Sequence, residues 1–191
     1  MKKTLIITAH PSTQGFTHKI AAKYKEAKEN KSEQAEIINL YDAEFSQPFL
    51  AFEDVRKWEQ NDVRDLLQKK ISESEELVFV FPIWWGQVPA IMKNFFDINF
   101  GANFAFKYEK GKPVGLLTGK TARVFATCDA SGWVYKLPGL PNMLAGYFKM
   151  YLLGFCGIKV KATHIFDHMH KKSPDQREKI LESVSNYGAQ S

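Results

Sequence analysis

Short apolar runs alternate along this chain with segments whose apolar residues recur at helical spacing, and this alternation restricts the fold more than any other feature. The runs that predict strands lie at residues 4–8, 36–40, 77–81, 122–127 and 158–165. Several are apolar throughout, as expected of strands that are buried on both faces. Strands that alternate with helices favour a parallel sheet covered by helices on both sides, the doubly wound α/β class.

The segments between these runs predict helices. The first has four apolar side chains on one face, namely Phe16, Ile20, Tyr24 and Ala27. A second pattern spans residues 55–71, as one helix or as two that are split near Asn61. A third spans residues 89–96 and starts at a proline, which suits the first turn of a helix. The last begins with a capping box at Ser173 and ends at Gly188.

At 191 residues, the chain is predicted to form a single domain over residues 1–191, since a typical domain has roughly 150 residues. It carries 26 lysines and arginines against 21 acidic residues, a net charge of +5. This modest excess suits an anionic ligand, but the basic residues form no clustered stripe of the kind that binds nucleic acid. We therefore expect a small-molecule site and no nucleic-acid partner.

The two cysteines, Cys128 and Cys156, are too few and too far apart for a disulfide framework, a redox pair or a four-cysteine zinc site. The longest uncharged apolar stretch, residues 77–92, is broken by two prolines and a glycine and is too short to cross a membrane. The apolar segment that follows Met1 is too short for a signal peptide. These features predict a cytoplasmic protein without membrane insertion.

Two histidines after the last predicted strand, His168 and His170, have the spacing that places both side chains on one face of a strand. Such a pair could hold a metal ion, but no further ligand is obvious nearby. We interpret the segment as a solvated turn and predict no metal site.

Ligands of doubly wound sheets bind beyond the carboxyl ends of the strands, where the strand order reverses. The loop after the first strand contains small residues and leads directly into a helix. The N–H groups at such a helix start, together with the positive end of the helix dipole, bind phosphate. Thr13, Thr17 and His10 would add donors. Alternatively, Thr17 only caps the helix and His10 is a strand-end residue.

The loop after the third strand has two adjacent tryptophans, Trp84 and Trp85, between Pro82 and Pro89. A strand would send the two side chains to opposite faces, and the prolines indicate a constrained loop instead. Such a loop forms a platform for a flat ring, whose edge the backbone N–H groups can reach. Alternatively, one tryptophan fills the core and the other a subunit interface.

The loop after the fourth strand begins at Thr127 and combines small polar residues with an aromatic pair, Trp133 and Tyr135. We interpret it as a second wall of the same cleft. Cys128 lies in this loop, but nothing nearby in the sequence visibly lowers the pKa of its thiol, and no histidine–aspartate partner for a nucleophile can be named. We therefore expect no nucleophile there.

Together these loops resemble those of the flavodoxin-like NAD(P)H:quinone oxidoreductases. That family includes DT-diaphorase, bacterial drug-activity modulators and ancillary subunits of glutathione-gated potassium-efflux systems. The resemblance covers essentially the whole chain and is carried by residues 9–11 with Phe16 and Thr17, residues 81–93, residues 40–42 with Phe45 and Pro48, residues 103–106, and residues 115–117 with 119–120. It departs at Gly15, where the family usually has serine, and at Asp129 and Ala130, where it has two glycines.

The resemblance implies the flavodoxin-like fold, a five-stranded parallel sheet of order 2-1-3-4-5 with helices on both faces. It further implies a homodimer with one flavin per subunit and with active sites at the dimer interface. The residues that would hold the flavin phosphate are His10, Gly15, Phe16, Thr17 and His18. Those along the edge of the flavin ring are Pro82, Ile83, Trp84, Trp85 and Gly86. Those on its pyrimidine side are Thr127, Cys128, Asp129 and Ala130.

The implied activity is the transfer of a hydride from NAD(P)H, through flavin N5, to a quinone or a similar small aromatic acceptor in ping-pong order. Tyr135 matches the family's catalytic tyrosine, and Phe104, Phe106 and Trp133 are expected to roof the acceptor slot. We favour FMN as the cofactor, with FAD as the alternative, because no segment clearly provides an adenine site. An alternative function is that of a regulatory flavoprotein subunit that docks on a partner such as a potassium-efflux transporter.

Overall fold

The structure is a computed structural model that describes residues 2–53, 61–131 and 143–190. The strands in these ranges are β1 (Lys3–Thr8), β2 (Gln34–Asn39), β3 (Glu76–Pro82), β4 (Phe106–Glu109), β5 (Lys112–Gly115), β6 (Thr121–Thr127) and β7 (Lys159–Phe166). The helices are α1 (Phe16–Glu29), α2 (Asp62–Glu73), α3 (Ala90–Asn99), α4 (Met143–Gly146) and α5 (Pro174–Ala189). A π-helix at Tyr147–Leu152 continues α4, and short 3-10 turns lie at Ala43–Phe45 and Met169–Lys171. No helix of the described ranges has both the length and the apolar character needed to cross a membrane.

Five strands form one parallel sheet in the order β2-β1-β3-β6-β7. Counted along the chain within this sheet, the order is 2-1-3-4-5, so the predicted α/β class and strand order are confirmed. All seven residues of β3 are buried, because β3 has a paired strand on either side and helices over both faces. This central position explains why its sequence is apolar without interruption.

The two faces of the sheet carry separate hydrophobic clusters. Phe79 and Phe81 of β3 belong to the cluster that includes residues of α2 and α3. Val78 and Val80 belong to the cluster that includes residues of α1 and α5. Successive side chains of a strand point to opposite faces, so one strand supplies both clusters. The sheet is therefore a rigid platform whose carboxyl edge carries the loops.

Of the two boundaries predicted for the last helix, the start is confirmed and the end is wrong. Ser173 forms the expected capping box, with its side chain accepting the N–H of Gln176 at 3.3 Å. Gly188 does not end α5, which continues to Ala189. A Cβ atom at position 188 would lie 2.8 Å from the Cβ of Ala27. Glycine is needed here because α5 packs closely against α1.

The start of α2 agrees with one of the two alternatives for the second helical pattern. Asn61 is the N-cap, and its side chain accepts the N–H of Arg64 at 2.9 Å. A helix thus begins at the position where a split was considered. The part of the predicted pattern before it falls on residues 54–60, which lie outside the described residues.

The sequence did not predict the hairpin of β4 and β5. The two strands pair antiparallel and are joined by Lys110 and Gly111, both with positive φ. That conformation is typical of the two-residue turns that match the twist of a hairpin. Phe106 anchors the hairpin, since its ring centroid lies 4.9 Å from that of Phe155.

A buried ion pair lies at the end of the sheet opposite its carboxyl edge. The side chains of Lys28 and Glu76 are both 0% exposed, and the Lys28 Nζ lies 2.9 Å from Glu76 Oε2. Tyr24 donates its hydroxyl to the other carboxylate oxygen at 3.1 Å, and Glu33 accepts from Lys28 at 2.9 Å. Burial alone lowers the pKa of Lys28, but the hydrogen bonds and charge of the two carboxylates outweigh it and raise the pKa. The lysine therefore stays charged.

A half-buried histidine, His164, lies between β6, β7 and α5. His164 stacks on Tyr187 with ring centroids 4.0 Å apart, and Arg123 Nη1 lies 3.3 Å from its Nε2. Burial, followed by the positive charge of Arg123, lowers the pKa of His164 to about 4. The folded protein therefore holds His164 neutral under conditions where a solvated histidine is charged.

This gives a testable dependence of stability on pH. Because the folded pKa of about 4 lies below the ordinary value of roughly 6.5, the unfolded chain binds the proton first. The contribution of His164 to the free energy of unfolding is complete above the unfolded pKa of roughly 6.5. It is lost as the pH falls towards the folded pKa of about 4. We expect His164→Gln to remove this part of the slope in urea titrations across that interval. A variant slope equal to that of the wild type would contradict it.

Candidate active site at the carboxyl edge of the sheet

The loops after β1, β3, β6 and β7 meet at the carboxyl edge of the sheet and line a cleft of about 730 Å³. The lining residues that the sequence predicted are His10, Phe16, Thr17, Pro82, Ile83, Trp84, Trp85, Gly86, Thr127, Cys128, Asp129 and Ala130. The remaining one, Met169, was not predicted. Gly15 and His18 do not line the cleft, although both lie in the same loop and helix start.

The first wall is the start of α1. Gly15 is its N-cap and carries no side chain that could cap the helix. Within the described residues, the N–H groups of Phe16 and Thr17 have no hydrogen-bond partner. The alternative that Thr17 caps the helix is wrong, because it is the second helical residue and is buried. Free N–H groups and the helix dipole make this wall suited to an anion.

His10 explains why glycine stands at position 15. The N–H of Ser12 lies 3.1 Å from His10 Nδ1, which holds the imidazole back against the helix start. A Cβ atom at position 15 would lie only 2.5 Å from that nitrogen. His18 contacts the backbone of the same residue, since its Nε2 lies 3.3 Å from the carbonyl oxygen of His10. Any side chain at Gly15 would thus displace the imidazole from the mouth of the cleft.

The second wall is a tight turn formed by the two tryptophans. Trp84 and Gln87 exchange backbone hydrogen bonds of 3.1 and 3.0 Å. Between them, Trp85 and Gly86 have φ values of +52° and +74°. This is the geometry of a type I′ turn, which glycine adopts freely and a bulky residue adopts only at a cost of about 1–2 kcal/mol.

Neither tryptophan belongs to the core. Trp84 is 42% exposed and Trp85 is fully exposed. The alternative that one of them fills the core is therefore wrong. A strained backbone and an uncovered indole at the same residue indicate that Trp85 is kept for contact with something outside the fold.

The third wall follows β6. Cys128 donates its backbone N–H to Phe166 at 2.9 Å and its thiol to the carbonyl oxygen of Ala130 at 3.5 Å. Burial, aided by the negative charges of Asp167 and Asp129, raises the pKa of the Cys128 thiol to about 11. The thiol is thus protonated at neutral pH, which agrees with the expectation that it is no nucleophile.

The fourth wall is the turn that contains Met169. The N–H of Met169 donates to the carbonyl oxygen of Cys128 at 3.2 Å, and the side chain is buried at the cleft. One signal for Met169 is present in the sequence, since any loop that follows a parallel strand reaches the same edge of the sheet. Among the described residues, no three histidine, cysteine or acidic side chains gather around His168 or elsewhere as a metal-ion site.

The structure separates the predicted acceptor-slot residues from the cleft. Phe104 and Phe106 precede and begin the β4–β5 hairpin, and both pack against the main core cluster. Neither lines the cleft of its own chain. Trp133 and Tyr135 lie outside the described residues, so their roles stay predictions.

Comparison with known proteins agrees with this geometry. A family described by the flavodoxin-like fold matches residues 2–190, so the chain belongs to that family. Its relatives include an FMN-dependent NADH:quinone oxidoreductase 2 of Bacillus subtilis strain 168, 31% identical over 96% of this chain and 95% of the relative. An uncharacterized NAD(P)H oxidoreductase of Haemophilus influenzae is 28% identical over 93% and 90%. The resemblance noted from the sequence is confirmed.

A solved structure shows the same fold. The crystal structure of Smu.1420 from Streptococcus mutans UA159 is 25% identical in sequence and superposes with a TM-score of 0.84. The match covers 99% of this chain and 100% of that one. The two proteins therefore share the same overall fold.

Proposed function

We propose that this chain is an FMN-dependent oxidoreductase that passes a hydride from NAD(P)H to a quinone or a similar small aromatic acceptor. The observation that carries the proposal is the cleft. There an uncapped helix start, an exposed tryptophan turn and a loop with free N–H groups face one another. The printed names of the relatives, which are quinone and NAD(P)H oxidoreductases, support the same class of reaction.

The donor set of the cleft fits FMN. The N–H groups of Phe16 and Thr17, with His10 beside them, would hold the phosphate, because a helix start binds anions without a lysine. Within the described residues, the N–H of Asp129 also lacks a partner and that of Ala130 meets only the weakly accepting Cys128 thiol, so both would serve the pyrimidine edge. FAD remains the alternative.

When bound, the flavin supplies reversible hydride transfer, and the chain supplies position and electrostatics. The Trp84–Gln87 turn holds one edge of the slot in a fixed conformation. Backbone N–H groups at the rim stabilise negative charge that develops on a bound ring, and do so more strongly where water is excluded. NAD(P)H and the acceptor bind in turn at the same open face, which is the ping-pong order. Tyr135 is the proposed catalytic side chain.

A second copy of the chain would complete the slot. Trp85 is exposed at the mouth of the cleft, and Phe104 and Phe106 do not reach the cleft of their own chain. In a homodimer, Phe104 and Phe106, together with Trp133, would cover the slot of the partner subunit. Sedimentation equilibrium tests this arrangement, and a monomer at the concentrations of the assay would exclude it. No specific observation favours the alternative of a regulatory docking subunit.

The reaction is tested with purified protein loaded with FMN. Anaerobic stopped-flow mixing with NADH and with NADPH should bleach the visible flavin band, and subsequent addition of a quinone should restore it. Mass spectrometry of the released chromophore distinguishes FMN from FAD. If neither nicotinamide bleaches the bound flavin, the proposed reaction is wrong.

A further inference from the structure

A contact at the rim of the cleft joins the loops after β6 and β7, and the proposed reaction does not use it. Oδ1 of Asp129 accepts the backbone N–H of His170 at 2.8 Å and its ring Nδ1–H at 2.9 Å. The Asp129 side chain is 65% exposed and the His170 side chain is 53% exposed. An ion pair this exposed contributes little to the stability of a fold. Its place beside the site points to a role there.

The contact fixes a short piece of backbone. Cys128 is already tied to the loop after β7 by two backbone bonds, its N–H to Phe166 and its carbonyl oxygen to the N–H of Met169. The Asp129 side chain adds a third tie one residue further along. Beyond it, the N–H of Asp129 has no partner within the described residues, and the N–H of Ala130 meets only the Cys128 thiol. Both residues line the cleft. The three ties together hold these two donors in place.

The contact also provides hydrogen-bond donors to the negative charge of the Asp129 carboxylate. Two hydrogen bonds from His170, and more weakly the nearby charges of His170 and Arg177, hold the pKa of Asp129 below its usual range, so the carboxylate is ionised at neutral pH. An unpaired carboxylate beside a ring that gains negative charge on reduction would oppose that reduction. Hydrogen bonds that occupy the Asp129 carboxylate therefore reduce its effect on the ring.

We propose that Asp129 and His170 form a clasp that positions the Asp129 and Ala130 N–H groups at the pyrimidine edge of the bound flavin and shields that edge from the Asp129 carboxylate. Both are positioning residues. The proposal rests on the proposed function, since it requires a flavin in the cleft.

The test measures binding and potential in place of turnover. Fluorescence titration gives the dissociation constant of oxidised FMN, and anaerobic potentiometry gives the midpoint potential of the bound flavin. For His170→Ala we expect affinity for oxidised FMN to fall about tenfold and affinity for the reduced form about tenfold further. This additional tenfold loss of affinity for the reduced form lowers the midpoint potential of the bound flavin by about 30 mV for a two-electron couple.

Variants without the Asp129 carboxylate show whether the effect of His170→Ala acts through Asp129 or comes from a general loss of positive charge. In Asp129→Gly the potential should not fall, because no carboxylate remains to be shielded. The double variant should match Asp129→Gly, since His170 acts only through Asp129. Lys171→Ala is the matched control, because it removes a full positive charge from the same turn without touching Asp129. It should change either constant by less than about threefold.

The outcomes are distinguishable. If the wild type does not bind FMN, the proposed function fails and the clasp fails with it. If the wild type binds FMN and His170→Ala has the same affinity and potential, only the clasp is wrong. An equal fall in potential for Lys171→Ala, or for the double variant, would overturn the clasp as well. Thermal unfolding without FMN confirms that the variants are folded, as expected for exposed side chains.

Discussion

Gly15→Asp is expected to weaken FMN binding by about 100-fold, or roughly 2.8 kcal/mol, without destabilising the protein. Gly15 has the extended backbone of an N-cap, with φ −60° and ψ 142°. Aspartate at such a position accepts N–H groups of the first turn and favours the helix by a few tenths of a kcal/mol over glycine. Its carboxylate would occupy the same N–H groups that we assign to the phosphate and would repel that phosphate.

Gly15→Ser is the matched control for this prediction. Both variants place a Cβ atom against the His10 ring and displace it equally, but only aspartate brings a negative charge. Dissociation constants for FMN and riboflavin separate the two effects, because riboflavin has no phosphate. The aspartate and serine variants should bind riboflavin alike. If they also bind FMN alike, the phosphate does not lie at the start of α1.

The second large effect concerns the buried ion pair. Lys28→Met should lower the free energy of unfolding by about 3 kcal/mol, because it leaves the Glu76 carboxylate buried without its nearest cation. The remaining partners of that carboxylate include the hydroxyls of Tyr24 and Thr4, at 3.1 and 3.4 Å, and Lys161, whose Nζ is 3.6 Å away. Urea unfolding followed by circular dichroism measures the loss.

Two further variants show whether the loss comes from the stranded charge. Adding Glu76→Gln to Lys28→Met should recover about 1 kcal/mol or more, since the two residues are in contact and their effects do not add. Lys25→Met should cost less than about 0.5 kcal/mol, because its partner Glu29 is 3.6 Å away and both side chains are exposed. Equal losses for Lys25→Met and Lys28→Met would contradict the assignment.

The sheet could be predicted because its three central strands, β1, β3 and β6, are buried on both faces. A strand such as β3 has no polar side to interrupt the apolar run, so its presence and central place are visible in the sequence. The β4–β5 hairpin was missed because its strands have only four residues and mostly exposed side chains. The pair Lys110 and Gly111 was the available signal, since such pairs favour two-residue hairpin turns.

Most of the cleft could be predicted because it is built from loops that directly follow strands, and parallel strands end at one edge. Contacts between segments that are distant in the sequence could not be predicted. At Gly188, local sequence does not distinguish the end of a helix from a close contact with Ala27. Met169 and His170 gained their places from pairing with the loop after β6, about forty residues earlier in the chain, which no local pattern reveals.

The order of the strands has a consequence for how the molecule is made. The cleft needs His10, near one end of the chain, and Met169, near the other, while β1 pairs with a strand that begins at Glu76. Everything from His10 to Met169 must therefore be synthesised before the four walls can meet. The complete cleft forms only after the loop that carries Met169 has left the ribosome.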